Sequence, residues 1–208
     1  VSYPGYDSSD PAAASRPTHP ISYLNKATQE NFPPGSPFKV ISALAFLEAG
    51  GAAGSSVNCP GQYYLPGWDK PFRCNVSGGH GSVNLKDALK YSCNVYFYQN
   101  IQKCRSESFM DLAHEWGFGR PTGIDLPFEV KGSLPMREAD SLWTGSVLHL
   151  SIGQGQIAAT PLQVLCAFAA FANGGRAVQP RLVCYRRTPD EERIEHQPQF
   201  HDIPLSPR

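Results

Sequence analysis

The chain has 208 residues, 41% of them hydrophobic, and its 18 basic side chains balance its 18 acidic ones. That is enough apolar material for one domain with a real core. It leaves no basic stripe for nucleic acid and no acidic run for a disordered tail. No apolar run reaches the length of a membrane span, and the first residues do not read as a signal peptide. Because the chain opens on Val1, the expectation is a fragment whose export signal or anchor lies outside it.

Nineteen glycines and nineteen prolines point to much loop between compact helices. Residues 1–30 read as an irregular lead-in, "DPAAASRPTHP" being the least structured piece. The stretch "NFPPGSPFKVISALAFLEAGG" then predicts a helix over about 36–49. Ser36 suits its N-cap and Pro37 its first position. Val40, Ile41, Leu44, Ala45 and Leu47 form an apolar stripe, and Gly50-Gly51 ends it. Capping leaves Lys39 unexplained. It stands at i+3 from Ser36, on the same helical face. A buried lysine gives up its proton readily and can act as a general base. A serine at a helix N-terminus sits where developing negative charge is favoured. Ser36 is therefore a candidate nucleophile and Lys39 its base, with plain capping as the competing reading.

Residues 50–83 carry glycine, proline and aromatic clusters without helical period, which predicts a long excursion with short strands. "VNLKDALKYSCNVYFYQNIQKC" resumes helical spacing through Leu85, Ala88 and Leu89, then Val95, Tyr96 and Ile101. Ser92 to Asn94 interrupts it, giving two short helices around a loop. Ser-x-Asn occurs at 56–58, 82–84 and 92–94. Only the third copy breaks a helical pattern, where a loop can push Ser92 and Asn94 into a cleft; the second opens a helix and reads as a cap.

Ser106 suits the cap of a further helix through Trp116, closed by Gly117, after which residues 117–150 read mostly as loop. "TPLQVLCAFAAFANGG" is the cleanest helix. Thr160 caps it, Pro161 takes its first position, Gln163 completes a capping box and Gly174 terminates it. Cys166 within it reads as a small buried thiol. Residues 176–187 predict a strand, and 189–208 a polar, weakly structured tail.

Taken together, the ordered segments "SYPGYD", "NKATQENFPPGSPFK", "GHGSVNLKDALKYSCNVYFYQ", "WGFGRPTGIDLP", "LSIGQGQIAATPLQ" and "FANGG" resemble the transpeptidase domain of class B penicillin-binding proteins, in particular the elongation-type penicillin-binding protein 2 group. The resemblance spans nearly the whole chain. It implies an α+β fold of the penicillin-binding protein/serine β-lactamase-like transpeptidase type, with the helical subdomain largely present and later sheet strands missing. It also implies acyl transfer. Ser36 attacks the penultimate D-alanine carbonyl of a peptidoglycan stem peptide, and Lys39 accepts its proton. Ser92 relays protons toward the leaving group, while Asn94 holds the substrate amide. An amine from a neighbouring strand then resolves the acyl-enzyme, and β-lactams mimic the D-Ala-D-Ala terminus. The implied setting is the extracytoplasmic, periplasmic face of a bacterial membrane, beside a glycosyltransferase or elongation-complex partner. Catalysis in this family needs no cofactor.

The chain departs from the family pattern in three places. Pro37-Phe38 follows Ser36 where Thr-Phe or Thr-Val is common, and the loop between "SYPGYD" and "NKA" is short. The family's third motif, Lys-Thr-Gly, is also absent. The Thr-Gly pairs are 122–123, after Pro121, and 144–145, after Trp143. In the family that motif lies on a strand beyond Arg208, so the expectation is a partial domain lacking a second oxyanion donor. Losing one such donor costs about 100- to 1000-fold in rate. A serine β-lactamase-like hydrolase and a non-catalytic scaffold of a wall-synthesis complex are the competing functions.

Cys59, Cys74, His80 and Cys93 are four zinc-ligand types within 35 residues, spaced C-x14-C-x5-H-x12-C. They lack the tight knuckle of common structural sites. Their turn-like surroundings ("NCPG", "FRCN", "GGHGS") and the family resemblance, in which some elongation-type members carry a metal at matching positions, favour a structural Zn2+. A Cys59–Cys74 disulfide and scattered inert thiols remain open.

Overall fold

The computed structural model describes residues 9, 24–135, 144–190, 192–203 and 205. "SYPGYD" and "DPAAASRPTHP" lie outside the described residues. Six α-helices and eight short strands occur among those described. Helix α1 (Lys39–Glu48) is central and packs on α2 (Leu85–Lys90), α3 (Asn94–Ile101) and α4 (Ser106–Glu115). Helix α5 (Thr144–Ser151) lies against α3 on the far side. The core these helices enclose is built from Phe38, Ile41, Phe46, Tyr96, Phe109 and Leu148, among others.

The strands pair only in twos, all antiparallel. Strand β1 (Val57–Cys59) pairs with β4 (Gly81–Val83), and β2 (Gln62–Tyr63) with β3 (Phe72–Arg73). These two ribbons are the excursion predicted for 50–83, and both touch α3. In the β1–β4 register Asn58 faces Ser82, so the first two Ser-x-Asn copies meet each other across a ladder. Asn84, rather than Ser82, caps α2 by accepting from the Asp87 N–H at 3.0 Å. Strand β5 (Arg176–Val178) pairs with β8 (Phe200–Asp202) beside α6 (Pro161–Ala172), and β6 (Tyr185–Arg187) pairs with β7 (Arg193–Glu195).

Several expectations need correction. The segment 117–150 is loop over residues 117–135, as expected, but α5 occupies its end. Gly145, Val147, Leu148, Leu150 and Ser151 are all buried there, so the helix shows no polar-apolar period to read. The single strand expected over 176–187 is two strands in different ribbons, and the tail supplies both partners, β7 and β8. Pairing, not propensity, makes those strands. Ser106 is the first residue of α4 and Arg105 its cap position, without a side-chain capping bond. Cys166 is half-buried.

The α6 N-terminus follows its sequence closely. Thr160 accepts from the Gln163 N–H at 3.1 Å, and Gln163 Oε1 accepts from the Thr160 N–H at 2.8 Å. The Gln163 amide does more. Its Nε2 reaches the carbonyls of Gly117, Arg120 and Lys131 at 3.3, 2.6 and 2.9 Å. One buried side chain therefore closes the helix start and pins the loop that follows α4. Gln163→Met keeps the bulk but leaves these carbonyls unmet, and each buried orphan costs about 1–3 kcal/mol. The variant is expected to lose about 2–4 kcal/mol in denaturant unfolding; a loss below 0.5 kcal/mol, on the order of a surface change, would show the hub is not stabilising.

Candidate active site and cysteine–histidine cluster

The turn that presents Ser36 depends on two glycines. Gly35 has φ +64 and ψ −147, a region essentially restricted to glycine. Its N–H donates to the Gly153 carbonyl at 2.9 Å. Gly153 in turn has no room for a side chain, since a Cβ there would collide with Gly35 O and the Phe38 side chain. From this close contact the chain enters a 3-10 turn, Ser36–Phe38, and then α1. Phe38 is fully buried, with its ring 4.9 Å from that of Phe118 and 5.8 Å from that of Phe109. That anchor leaves Ser36 exposed above it.

Ser36 makes no side-chain cap; Gly35 holds the cap position. Its Oγ lies 2.7 Å from Ser92 Oγ instead. Lys39 is only 1% exposed, and its ammonium donates to Ser92 O at 2.7 Å, Ser92 Oγ at 2.8 Å and Asn94 Oδ1 at 2.6 Å. Serine and lysine share a helical face as their spacing predicts, yet the hydrogen-bonded path between them runs through Ser92. Burial pulls the Lys39 pKa down, the charges of Cys74 and Cys93 push it up, and the outcome is about 8.

Ser92 has φ +56, the left-handed region, which costs a non-glycine residue about 1–3 kcal/mol and persists only where its surroundings fix it. Here Ser92 N–H donates to Leu89 O, Cys93 N–H to Ala88 O, and the Ser92 carbonyl takes the Lys39 ammonium. Asn94 Nδ2 donates to the Arg73 carbonyl at 3.1 Å, so the amide oxygen must face Lys39. Neither Arg73 O nor Gly153 was singled out by sequence. Each acts through its backbone or its lack of a side chain, and the only signals were the neighbouring Cys74 and the glycine-rich "SIGQG".

Cys59, Cys74, His80 and Cys93 converge, with their ligand atoms all within 4.8 Å of one another. His80 Nδ1 is 3.6 Å from Cys59 Sγ and 3.5 Å from Cys74 Sγ, and Cys74 Sγ is 3.9 Å from Cys93 Sγ. The β1–β4 ribbon places the first and third of these: His80 N–H donates to Cys59 O at 3.1 Å. Cys74 follows β3, with its N–H on Gly61 O at 2.9 Å. Cys93 is the cap residue of α3. The four residues are thus a cluster, not scattered thiols, and the Cys59–Cys74 disulfide is not formed, since all six cysteines are free. Burial resists ionisation of Cys74, but backbone N–H groups of Val95, Val76 and Asn94 and the Cys59 thiol together lower its pKa. Burial raises that of Cys93.

Known proteins share this arrangement of chain. The family described as the penicillin binding protein transpeptidase domain matches residues 1–206. The chain belongs to that family. A peptidoglycan D,D-transpeptidase MrdA from Acinetobacter baumannii is 37% identical over 166 residues, covering 76% of this chain and 25% of that protein. Penicillin-binding protein A of M. tuberculosis, solved as a ceftriaxone acyl-enzyme complex, superposes with a TM-score of 0.82 at 27% identity, covering 99% of this chain and 49% of the other. Penicillin-binding protein PBP2 of Helicobacter pylori, solved in complex with MreC, gives 0.75 at 30% identity, covering 89% and 34%. The chain thus spans a quarter to half the length of these relatives. Among the described residues no helix is long and apolar enough to cross a membrane.

The Lys39–Asn94 contact is directly testable. In Asn94→Asp a carboxylate faces the ammonium, which stabilises the charged form and should move the Lys39 pKa above 8. Asn94→Ala removes an acceptor from the buried ammonium and should move it lower. NMR titration of the Lys39 side chain reads both shifts, and an unmoved titration in Asn94→Asp would mean the two groups are not coupled.

Proposed function

We propose that the protein is a serine-type peptidoglycan D,D-transpeptidase that forms its acyl-enzyme on Ser36. The observation that carries this reading is the unbroken path from Ser36 Oγ through Ser92 Oγ to Lys39 Nζ. Two of the three Lys39 partners, Ser92 O and Asn94 Oδ1, are acceptors only. A neutral amine keeps two N–H groups for them and turns its lone pair to the third partner, the Ser92 hydroxyl. Ser92 then donates to Lys39 and accepts from Ser36, so the Ser36 oxygen attacks as its proton moves two steps inward. When the tetrahedral intermediate collapses, Ser92 returns a proton to the leaving D-alanine amine. A stem-peptide amine then attacks the ester by the reverse route, with the Asn94 amide beside the substrate backbone.

The named activity of the A. baumannii relative supports the reaction, and the M. tuberculosis acyl-enzyme supports β-lactams as suicide analogues. The H. pylori complex with MreC supports a place in a wall-synthesis assembly, and the proposed peptidoglycan substrate supports a site on the extracytoplasmic side of a membrane. Its test is the pH dependence of penicillin labelling in the full-length protein. With Lys39 near 8, about a tenth of the molecules hold the neutral base at pH 7. The acylation rate should therefore climb about tenfold from pH 6 to pH 7 and level off above about 8. Ser36→Ala should abolish labelling, and Lys39→Arg should be as inactive as Lys39→Ala because arginine does not deprotonate. Robust labelling in Lys39→Arg would remove the general base from the mechanism.

We assign the cysteine–histidine cluster to a structural zinc ion. Zn–S bonds of about 2.3 Å and Zn–N bonds of about 2.0–2.1 Å in a tetrahedron set sulfurs about 3.8 Å apart and sulfur and nitrogen about 3.6 Å apart. The separations of 3.9, 3.6 and 3.5 Å are close to three of the six edges, and all six lie within 4.8 Å. Four protein ligands leave no position for water, so the ion would hold structure and take no part in acyl transfer. Protein purified without chelator is expected to carry about one zinc per chain, and His80→Ala and Cys93→Ser should each lower that content. Metal-free protein with native hydrogen exchange across 59–94 would contradict the assignment.

A further inference from the structure

Every residue of the Ser36–Ser92–Lys39 path that comes from outside α1 and its leading turn lies beside a cluster cysteine. Ser92 and Asn94 flank Cys93. Arg73, whose carbonyl fixes the Asn94 amide, precedes Cys74. We infer that Cys74 and Cys93 form a redox-sensitive pair whose disulfide, made when the cluster holds no metal, displaces Ser92 and Asn94 and shuts off acylation. This rests on the metal reading above only for what protects the thiols, not for the pair itself.

The two sulfurs are 3.9 Å apart, whereas a disulfide holds them at about 2.05 Å. Closing the pair therefore takes about 1.9 Å. A metal tetrahedron wants the separation already present, so the geometry that suits Ser92 and Asn94 is the metal-holding one. The partners differ in freedom. Cys59 is fixed in the β1–β4 ladder, while Cys74 and Cys93 are each tied by one backbone N–H, to Gly61 O and Ala88 O. Cys93 sits in the turn between α2 and α3, next to a strained Ser92, and it is the residue that gives way. Its movement carries the acceptors of Lys39 with it. A misplacement of about 1 Å at a reacting group can cost about 100-fold in rate.

The exchange balances with a disulfide oxidant such as oxidised glutathione. Cys74 is half-buried where Cys59 and Cys93 are buried, so its sulfur is the most open of the three to an oxidant. Cys74 sulfur attacks the oxidant, forming a mixed disulfide and releasing one glutathione thiolate. Cys93 sulfur then attacks Cys74 sulfur, completing the protein disulfide and releasing the second. The protein loses two electrons and two thiol protons, and the oxidant becomes two thiols.

The experiment uses full-length protein, zinc-replete or chelator-treated, incubated with oxidised glutathione. Peptide mapping by mass spectrometry reads the bridge and fluorescent penicillin reads acylation. Chelated protein is expected to acquire a Cys74–Cys93 bridge, lose about 100-fold in acylation rate, and recover with dithiothreitol, while zinc-replete protein resists. In Cys93→Ser oxidation can take Cys74 only as far as the mixed disulfide with glutathione, so peptide mapping should show that adduct and no protein bridge at Cys74. A Cys59–Cys74 bridge in place of Cys74–Cys93, or full acylation with the Cys74–Cys93 bridge in place, overturns the inference. Identical oxidation of both samples, with no zinc in either, refutes the metal assignment while the bridge and its effect on acylation still support the pair.

Discussion

A lysine ammonium held almost out of reach of water is the constraint on which this structure depends. An uncompensated charge at that depth is prohibitive, and Lys39 is tolerated because three oxygens surround its nitrogen at 2.6–2.8 Å. All three come from one three-residue segment, Ser92–Asn94. The start of α1 and the turn between α2 and α3 must therefore be fixed relative to each other to within a few tenths of an ångström. Much of the surrounding packing serves that requirement.

Support comes from two directions. Beneath the site, Phe38 is locked between Phe109 and Phe118, and the Gly35–Gly153 contact ties the approach to α1 to the end of α5. On the outer side, the thiol cluster and the Arg73 carbonyl hold the Ser92–Asn94 turn. The turn needs this because Ser92 is strained by about 1–3 kcal/mol, comparable to a few net hydrogen bonds. Binding of a zinc ion is worth about 10–16 kcal/mol in zinc-finger peptides, so the proposed ion would suffice to fix a turn carrying that strain.

How much of this was legible in the sequence follows from which interactions are local. The capping box of α6 and the break between α2 and α3 were, because residues three or four apart decide them. The four candidate site residues, Ser36, Lys39, Ser92 and Asn94, were legible as types and spacings. Their connection was not: i+3 spacing suggests that Lys39 touches Ser36, but a partner fifty residues away intervenes. Helix α5 was missed because burial on all sides erases amphipathic period. Strands β7 and β8 were missed because their stability comes from β6 and β5, not from their own polar sequences. Ser36 was offered as a cap on sound propensity, and the structure gives that position to Gly35 because only glycine adopts its backbone angles cheaply.

The depth of Lys39 against the exposure of Ser36 also gives the proposed relay a physical reason. A lysine close enough to take the Ser36 proton directly would share that exposure, and water would return its pKa toward the ordinary value near 10.5. It would then be charged, and useless as a base, at neutral pH. Deeper burial with no acceptors would leave it neutral but would forfeit the contacts that hold the Ser92–Asn94 turn. The observed position lies between these limits: burial lowers the pKa, the charges of Cys74 and Cys93 oppose it, and Ser92 O and Asn94 Oδ1 accept from the ammonium. Ser92 spans the resulting gap, with one hydroxyl facing solvent-exposed Ser36 and buried Lys39 at the same time. The left-handed backbone at Ser92 is what aims that hydroxyl, so the strain and the proton path are two aspects of one arrangement.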